Sequence, residues 1–229
     1  MDNSEETRCL GLIGGLGVGA TVHYYRSIVE ACLKRGSTPQ LLVIHANLET
    51  VLAQVRDNKI AELSADLAEY TNRLSSAGAS IGAISAVTPH IALPATAKLA
   101  DLPFVNLLEE TVLEIRKRGI ERVAVFGTRF VMESALFGYL QGLQVVLPVP
   151  GEVEAIHNAY VEIARTGCAT IESETCLRGI AHTLCERDRV DAIVLAGTEL
   201  ALVFNDTNTD FPAVNCANIH IDAIVHRLL

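Results

Sequence analysis

Two stretches of the chain combine residue types that can grip a small acid. Residues 81–90 (IGAISAVTPH) read as a short apolar strand that stops at Ser85, then a turn, then a helix capped by Thr88 with Pro89 in its first turn. Backbone N–H groups at such a junction lack intrahelical acceptors, so they attract a carboxylate or phosphate. Residues 192–203 (AIVLAGTELALV) repeat the design, with Thr198 opening the second helix. Ser85, Ala86, Val87 and Thr88 in one junction, and Gly197 and Thr198 in the other, are therefore expected to bind substrate. Thr128, in the turn Gly127-Thr128-Arg129, adds a further hydroxyl. Two such junctions imply a two-lobed protein with a small acid held in a cleft between the lobes.

Proton transfer needs a side chain whose pKa can be brought near the working pH. Four candidates stand at expected strand ends or helix starts: His45, His90, Glu199 and Cys216. Cys216 is the one cysteine at a strand tip. Ser85 adjoins the first junction but would need an activating base. His23 lies beside a glycine turn, while His157, His182 and His226 read as helix-surface or packing residues.

That glycine turn, Gly15-x-Gly17-x-x-Ala20, sits between a strand and a helix and matches a dinucleotide fingerprint. The acidic residue that should end the next strand is missing; the strand runs into His45-Ala46-Asn47-Leu48-Glu49. A tight turn for helix–strand packing, or a loop lining a small-acid pocket, fits better than an NAD-dependent oxidoreductase. Gly15 is accordingly placed among the substrate-binding positions.

The elements that must position these residues alternate strand and helix throughout. Strands are expected at 9–13, 41–44, 81–85, 104–106, 122–126, 145–147, 190–195 and 213–214. Long helices are expected at 22–35, 59–77, 107–118, 131–140, 152–166, 171–187 and 216–229. In the 59–77 segment Ile60, Leu63, Leu67, Tyr70 and Leu74 recur at three and four. This is the α/β pattern of mostly parallel sheets flanked by helices, whose ligands lie beyond the carboxyl ends of the strands. The expected division is 1–106 plus 208–229 for the first lobe and 107–207 for the second.

Half of the 229 residues are hydrophobic, enough for one large or two small α/β units. The formal net charge of -9 and the scatter of the 18 basic residues argue against a nucleic-acid partner. The single basic cluster, Arg116-Lys117-Arg118, reads as a solvated helix face. The first eight residues do not read as a signal or transit peptide, and no apolar run reaches the roughly 18–20 residues of a membrane span. A cytoplasmic protein is expected. The six cysteines form no CxxC pair or zinc spacing and read as mostly buried thiols.

Several motifs, in order, resemble the aspartate/glutamate racemase superfamily. GLIGGLGVGATVHYYRSI at 11–28 resembles its N-terminal glycine turn and helix. Ser85-Ala86-Val87-Thr88-Pro89-His90 falls where the family has a C-N-T-x-H or T-N-T-x-H motif. Phe126-Gly127-Thr128-Arg129 with Met132-Glu133 resembles its central G-T-x turn. Ala196-Gly197-Thr198-Glu199 stands where it has G-C-T-E, and residues 215–220 (NCANIH) resemble its closing segment. The resemblance implies two pseudo-symmetric α/β lobes, often as a homodimer, with the substrate in the cleft. It implies no PLP, metal or nucleotide cofactor, and a pair of acid/base side chains, usually two cysteines or a threonine and a cysteine. It also places Asn47 at a strand end that meets the substrate, and makes His220 structural.

This chain departs from the pattern at both acid/base positions, which are Ala86 and Gly197. A methyl group and a hydrogen carry no proton. A related branch that decarboxylates substituted malonates keeps a small residue at the first position but a cysteine at the second; Ala86 suits it and Gly197 does not. The expected function is therefore a cofactor-independent enzyme acting on a small carboxylic or amino acid through a carbanion or enolate held by backbone N–H groups and threonines. Two-thiol racemisation is not expected; decarboxylation, elimination or cyclisation stay open. A non-catalytic small-acid binder is the alternative. The two small residues are also expected to leave room for a ligand larger than aspartate.

Overall fold

The computed structural model describes residues 8–205 and 207–229. The absence of a targeting peptide expected for the first eight residues falls largely on Met1–Thr7, outside the described residues. The chain divides into two compact units.

The first unit runs from its first described residue to Leu16, then Thr21–Asn106, and resumes at His220–Leu229. Its sheet places β1 (Cys9–Gly14) between β2 (Gln40–His45) and β3 (Ile81–Ile84), all parallel. Every residue of β1 is buried, as a central strand covered on both faces requires. The edge strand β2 has no fully buried residue; its positions are exposed or half-buried. Helices α1 (Val18–Lys34), α2 (Leu48–Arg56) and α3 (Ile60–Ser76) carry the crossovers. Leu63, Leu67 and Leu74 of α3 pack with Ile13 and Ile84 in one apolar cluster. The strand expected at 104–106 is a single bridge, Gly82 to Phe104. Gly82 allows it, because a Cβ there would stand 3.2 Å from the Phe104 ring.

The second unit comprises Gly17–Ala20 and Leu107–Ile219. Its parallel sheet has the order β5 (Gln144–Val146), β4 (Arg122–Phe126), β6 (Ala192–Leu195), β7 (Ala213–Asn215). Helices α5 (Leu107–Lys117), α7 (Pro150–Thr166) and α8 (Ile171–Arg187) accompany it. The return to the first unit falls at His220 rather than at 208. The reason is β7, which pairs with β6 from Ile193↔Ala213 to Leu195↔Asn215. The final helix, α9 (Cys216–Leu228), thus begins in the second unit and ends in the first.

Two further expectations change. Helix α2 follows the strand tip in a stretch for which no element was expected; Asn47 caps it, Oδ1 accepting from the Thr50 amide at 3.1 Å. The helix expected at 131–140 is only α6 (Arg129–Glu133), because Ala135, Leu136, Phe137 and Gly138 all take left-handed backbone angles. Among the described residues no helix is long and apolar enough to cross a membrane.

Candidate functional site

In the first unit, β3 is followed by Ser85, Ala86, Val87 and Thr88, all buried. A 3-10 helix, Thr88–Ala92, comes next, and then a single turn, α4 (Leu93–Thr96). Thr88 is the first residue of that 3-10 helix, not its cap. Val87 precedes it with helical angles (φ -77, ψ -49) and no side-chain cap bond forms. A helix this short has little dipole, so the expected anion cradle is weaker than the sequence suggested. The Ser85 hydroxyl donates to the Ile13 carbonyl at 3.4 Å and lies 3.3 Å from Thr21 Oγ1, which in turn accepts the Gly15 amide at 2.9 Å.

His90 is buried, with Nδ1 2.8 Å from the Ala86 carbonyl. A carbonyl only accepts, so Nδ1 carries the hydrogen and Nε2 the lone pair. That lone pair has no hydrogen-bond partner among the described residues. Burial pulls the imidazole down to a pKa of about 4, which leaves it neutral at pH 7 and able to accept a hydrogen bond. His220 stands 6.1 Å away, edge to face. Its Nε2 donates to the Val105 carbonyl at 2.8 Å and its Nδ1 accepts from the Tyr24 hydroxyl at 3.0 Å. Burial brings it to about 3.

At the end of β2, His45 and Asn47 are exposed. Gly15 takes φ +79, and a Cβ there would stand 2.8 Å from both Cγ and Nδ1 of His45. The turn therefore lies directly against the imidazole. Asn47, expected to meet substrate, spends its side-chain oxygen on the α2 cap.

The second unit holds the most concentrated chemistry. After β6, Gly197 leads into a 3-10 helix, Thr198–Leu202, and Glu199 is fully buried on its first turn. The Tyr160 hydroxyl on α7 donates to Glu199 Oε2 at 2.8 Å, and the Thr198 hydroxyl donates to the same oxygen at 3.3 Å. Oε1 has no hydrogen-bond partner among the described residues. It rests against Gly17, whose φ is +128; a Cβ on Gly17 would lie 2.7 Å from Glu199 Cδ and closer still to Oε1. Burial raises the carboxyl above its ordinary range, while the Tyr160, backbone and Thr198 donors pull it back down. A carboxyl oxygen beside Gly17 also opposes the nucleotide reading, since it stands in the turn that would have to cradle a pyrophosphate.

The same phenol ring lies on Gly197. A Cβ there would fall 2.7 Å from Tyr160 Cδ2 and 2.9 Å from Cζ, and nearer still to Cε2. The expectation that a small residue at 197 leaves room is overturned: an aromatic ring fills that space.

Thr128 caps α6, its Oγ1 accepting the Val131 amide at 3.3 Å. Cys216 does not suit the base role expected of it. It is the first residue of α9 and fully buried, and burial pushes its thiol up to about 12 despite a bond with Thr111. A thiol there stays protonated at neutral pH. Tyr160 was missed by sequence reasoning, and Gly17 was read only as part of the glycine turn, not as a neighbour of Glu199. Tyr160 sits on a helix 37 positions before Gly197, with no local pattern linking them; a glycine where a reactive side chain is expected was the only signal.

With this geometry in place, the chain belongs to the Asp/Glu/Hydantoin racemase family, whose model matches residues 13–224. An aspartate racemase homologue from Pyrococcus horikoshii superposes with a TM-score of 0.78 at 24% identity, covering 97% of this chain and 99% of that one. A Yersinia pestis structure with the provisional name Asp/Glu racemase gives 0.82 at 22%, over 96% and 99%. Arylmalonate decarboxylase gives 0.58 at 14%, over 96% and 92%. At these identities the likeness is one of fold.

Proposed function

We propose that the chain is a cofactor-independent enzyme that acts on a small amino or carboxylic acid by forming and reprotonating a carbanion or enolate, with Glu199 as its proton-carrying group. The observation that supports this is the Glu199 carboxyl: one oxygen held by two hydroxyls, the other without a partner among the described residues, and a pKa raised by burial. Such an environment is typical of a general acid or base. Racemisation needs a proton carrier on each face of the α-carbon, and Ala86 and Gly197 provide none. Chemistry with one proton delivery fits better. In the decarboxylation of a substituted malonate, the bond to the departing CO2 breaks, its electron pair stays on the α-carbon, and one proton closes it. The name of one structural neighbour, arylmalonate decarboxylase, is in keeping with that reaction class.

Incubation in D2O with a panel of amino acids, dicarboxylates and substituted malonates tests this, since any carbanion route leaves deuterium at the α-carbon. NMR is expected to find it with the parent protein and not with Glu199→Gln. The second reading, a small-acid binder without turnover, is favoured by the complete burial of both Glu199 and His90. Calorimetric binding with no deuterium from any ligand would decide for it.

A further inference from the structure

We propose that Tyr160 is the positioning residue of the β6 strand end: its ring takes the space beside Gly197, and its hydroxyl fixes the carboxyl of Glu199. The inference rests on the role proposed for Glu199 and adds the residue through which that role is set. One side chain makes both contacts. Its ring atoms approach so closely that only hydrogen fits at position 197, and its oxygen stands 2.8 Å from Glu199 Oε2. The strand end is therefore not an empty site from which a side chain has been trimmed. It is a packed assembly of Tyr160, Gly197 and Glu199, with Gly17 closing it beside Oε1.

A purely packing tyrosine would need its ring but not its hydroxyl. A positioning tyrosine needs both, for different reasons. The hydroxyl donates to the charged form of the carboxyl and so favours it. The ring forbids a Cβ at 197, so a proton carrier introduced there meets the phenol first. Gly197→Cys alone is thus not a fair restoration of the family motif; it has to be paired with a smaller residue at 160.

The test reads the two contacts separately. Carboxyl 13C NMR, with Glu199 assigned by its loss in Glu199→Gln, follows the Glu199 titration in the parent and in Tyr160→Phe. Losing a donor to a charged group is expected to move the titration up by about 1–2 pH units. An unchanged midpoint overturns the proposal. The steric contact is read by melting Gly197→Ala, Tyr160→Ala and the double variant. Gly197→Ala is expected to melt well below the parent, while the double variant melts within about 2 °C of Tyr160→Ala alone. Parent-like stability of Gly197→Ala with Tyr160 in place overturns it. Absence of deuterium incorporation with every acid removes the catalytic role of Glu199 but leaves both readouts intact, so the two failures are separable.

Discussion

Gly17 stands with its α-carbon against the Glu199 carboxyl, at a backbone angle (φ +128) that residues with a Cβ rarely adopt. Gly17→Ala therefore meets two costs, backbone strain and collision. A loss of about 2–4 kcal/mol is expected. Gly36 isolates the first: its φ is +76 and nothing lies within 4 Å of a Cβ there. Gly36→Ala should cost only about 1 kcal/mol. Urea denaturation of both variants checks the difference, and equal losses would show that the Glu199 contact is unimportant.

The buried imidazoles predict a pH dependence. His90 and His220 titrate near 4 and 3 in the folded chain, against about 6.5 unfolded. Below pH 6.5 the unfolded chain binds more protons, so stability falls as pH drops toward 4 and then 3. Above 6.5 these two groups contribute no slope. Glu199 acts oppositely: its raised carboxyl lowers stability as pH rises past the unfolded value, a loss relieved on acidification. Denaturation midpoints at pH 8, 6, 5 and 4 should be flatter for His220→Gln than for the parent.

Four consecutive left-handed residues, Ala135 to Gly138, follow α6. Three have a Cβ, and each is strained by about 1–2 kcal/mol. Ser134 compensates in part, its hydroxyl accepting the Phe137 amide at 3.0 Å and its carbonyl the Gly138 amide at 2.8 Å. Ala135→Gly should raise stability by about 1 kcal/mol and the melting temperature by about 2–4 °C. No gain by calorimetry would mean that the strain is absorbed elsewhere.

Thiol labelling should follow burial. Cys168 is exposed, whereas Cys9, Cys32 and Cys216 are buried. A maleimide under native conditions is expected to modify Cys168 first and Cys216 only after unfolding, as read by peptide mass spectrometry. Early labelling of Cys216 would revive it as a reactive group.

Much of the sheet was legible because parallel strands leave a strong trace: continuous apolar runs such as residues 123–126 and 192–195, each ended by small residues. Helix α2 was hidden although Asn47 and Glu49 give its start signal, since the strand just before it makes the same residues read as a binding tip. The break after Glu133 was illegible because a left-handed Ala-Leu-Phe run has no compositional mark. At the site, Glu199 could be named from its place after Gly197. Its partners could not: Tyr160 and Gly17 reach it only through the fold.

The discontinuity of the first unit bears on how the protein is made. His220 bonds to Val105 and Tyr24, so that unit needs residues from both sides of the second. On the ribosome, the second unit has all its strands as soon as Asn215 emerges. The earlier-synthesised half lacks the His220 contacts with Tyr24 and Val105 until α9 arrives, so the packing of the unit begun first is completed last.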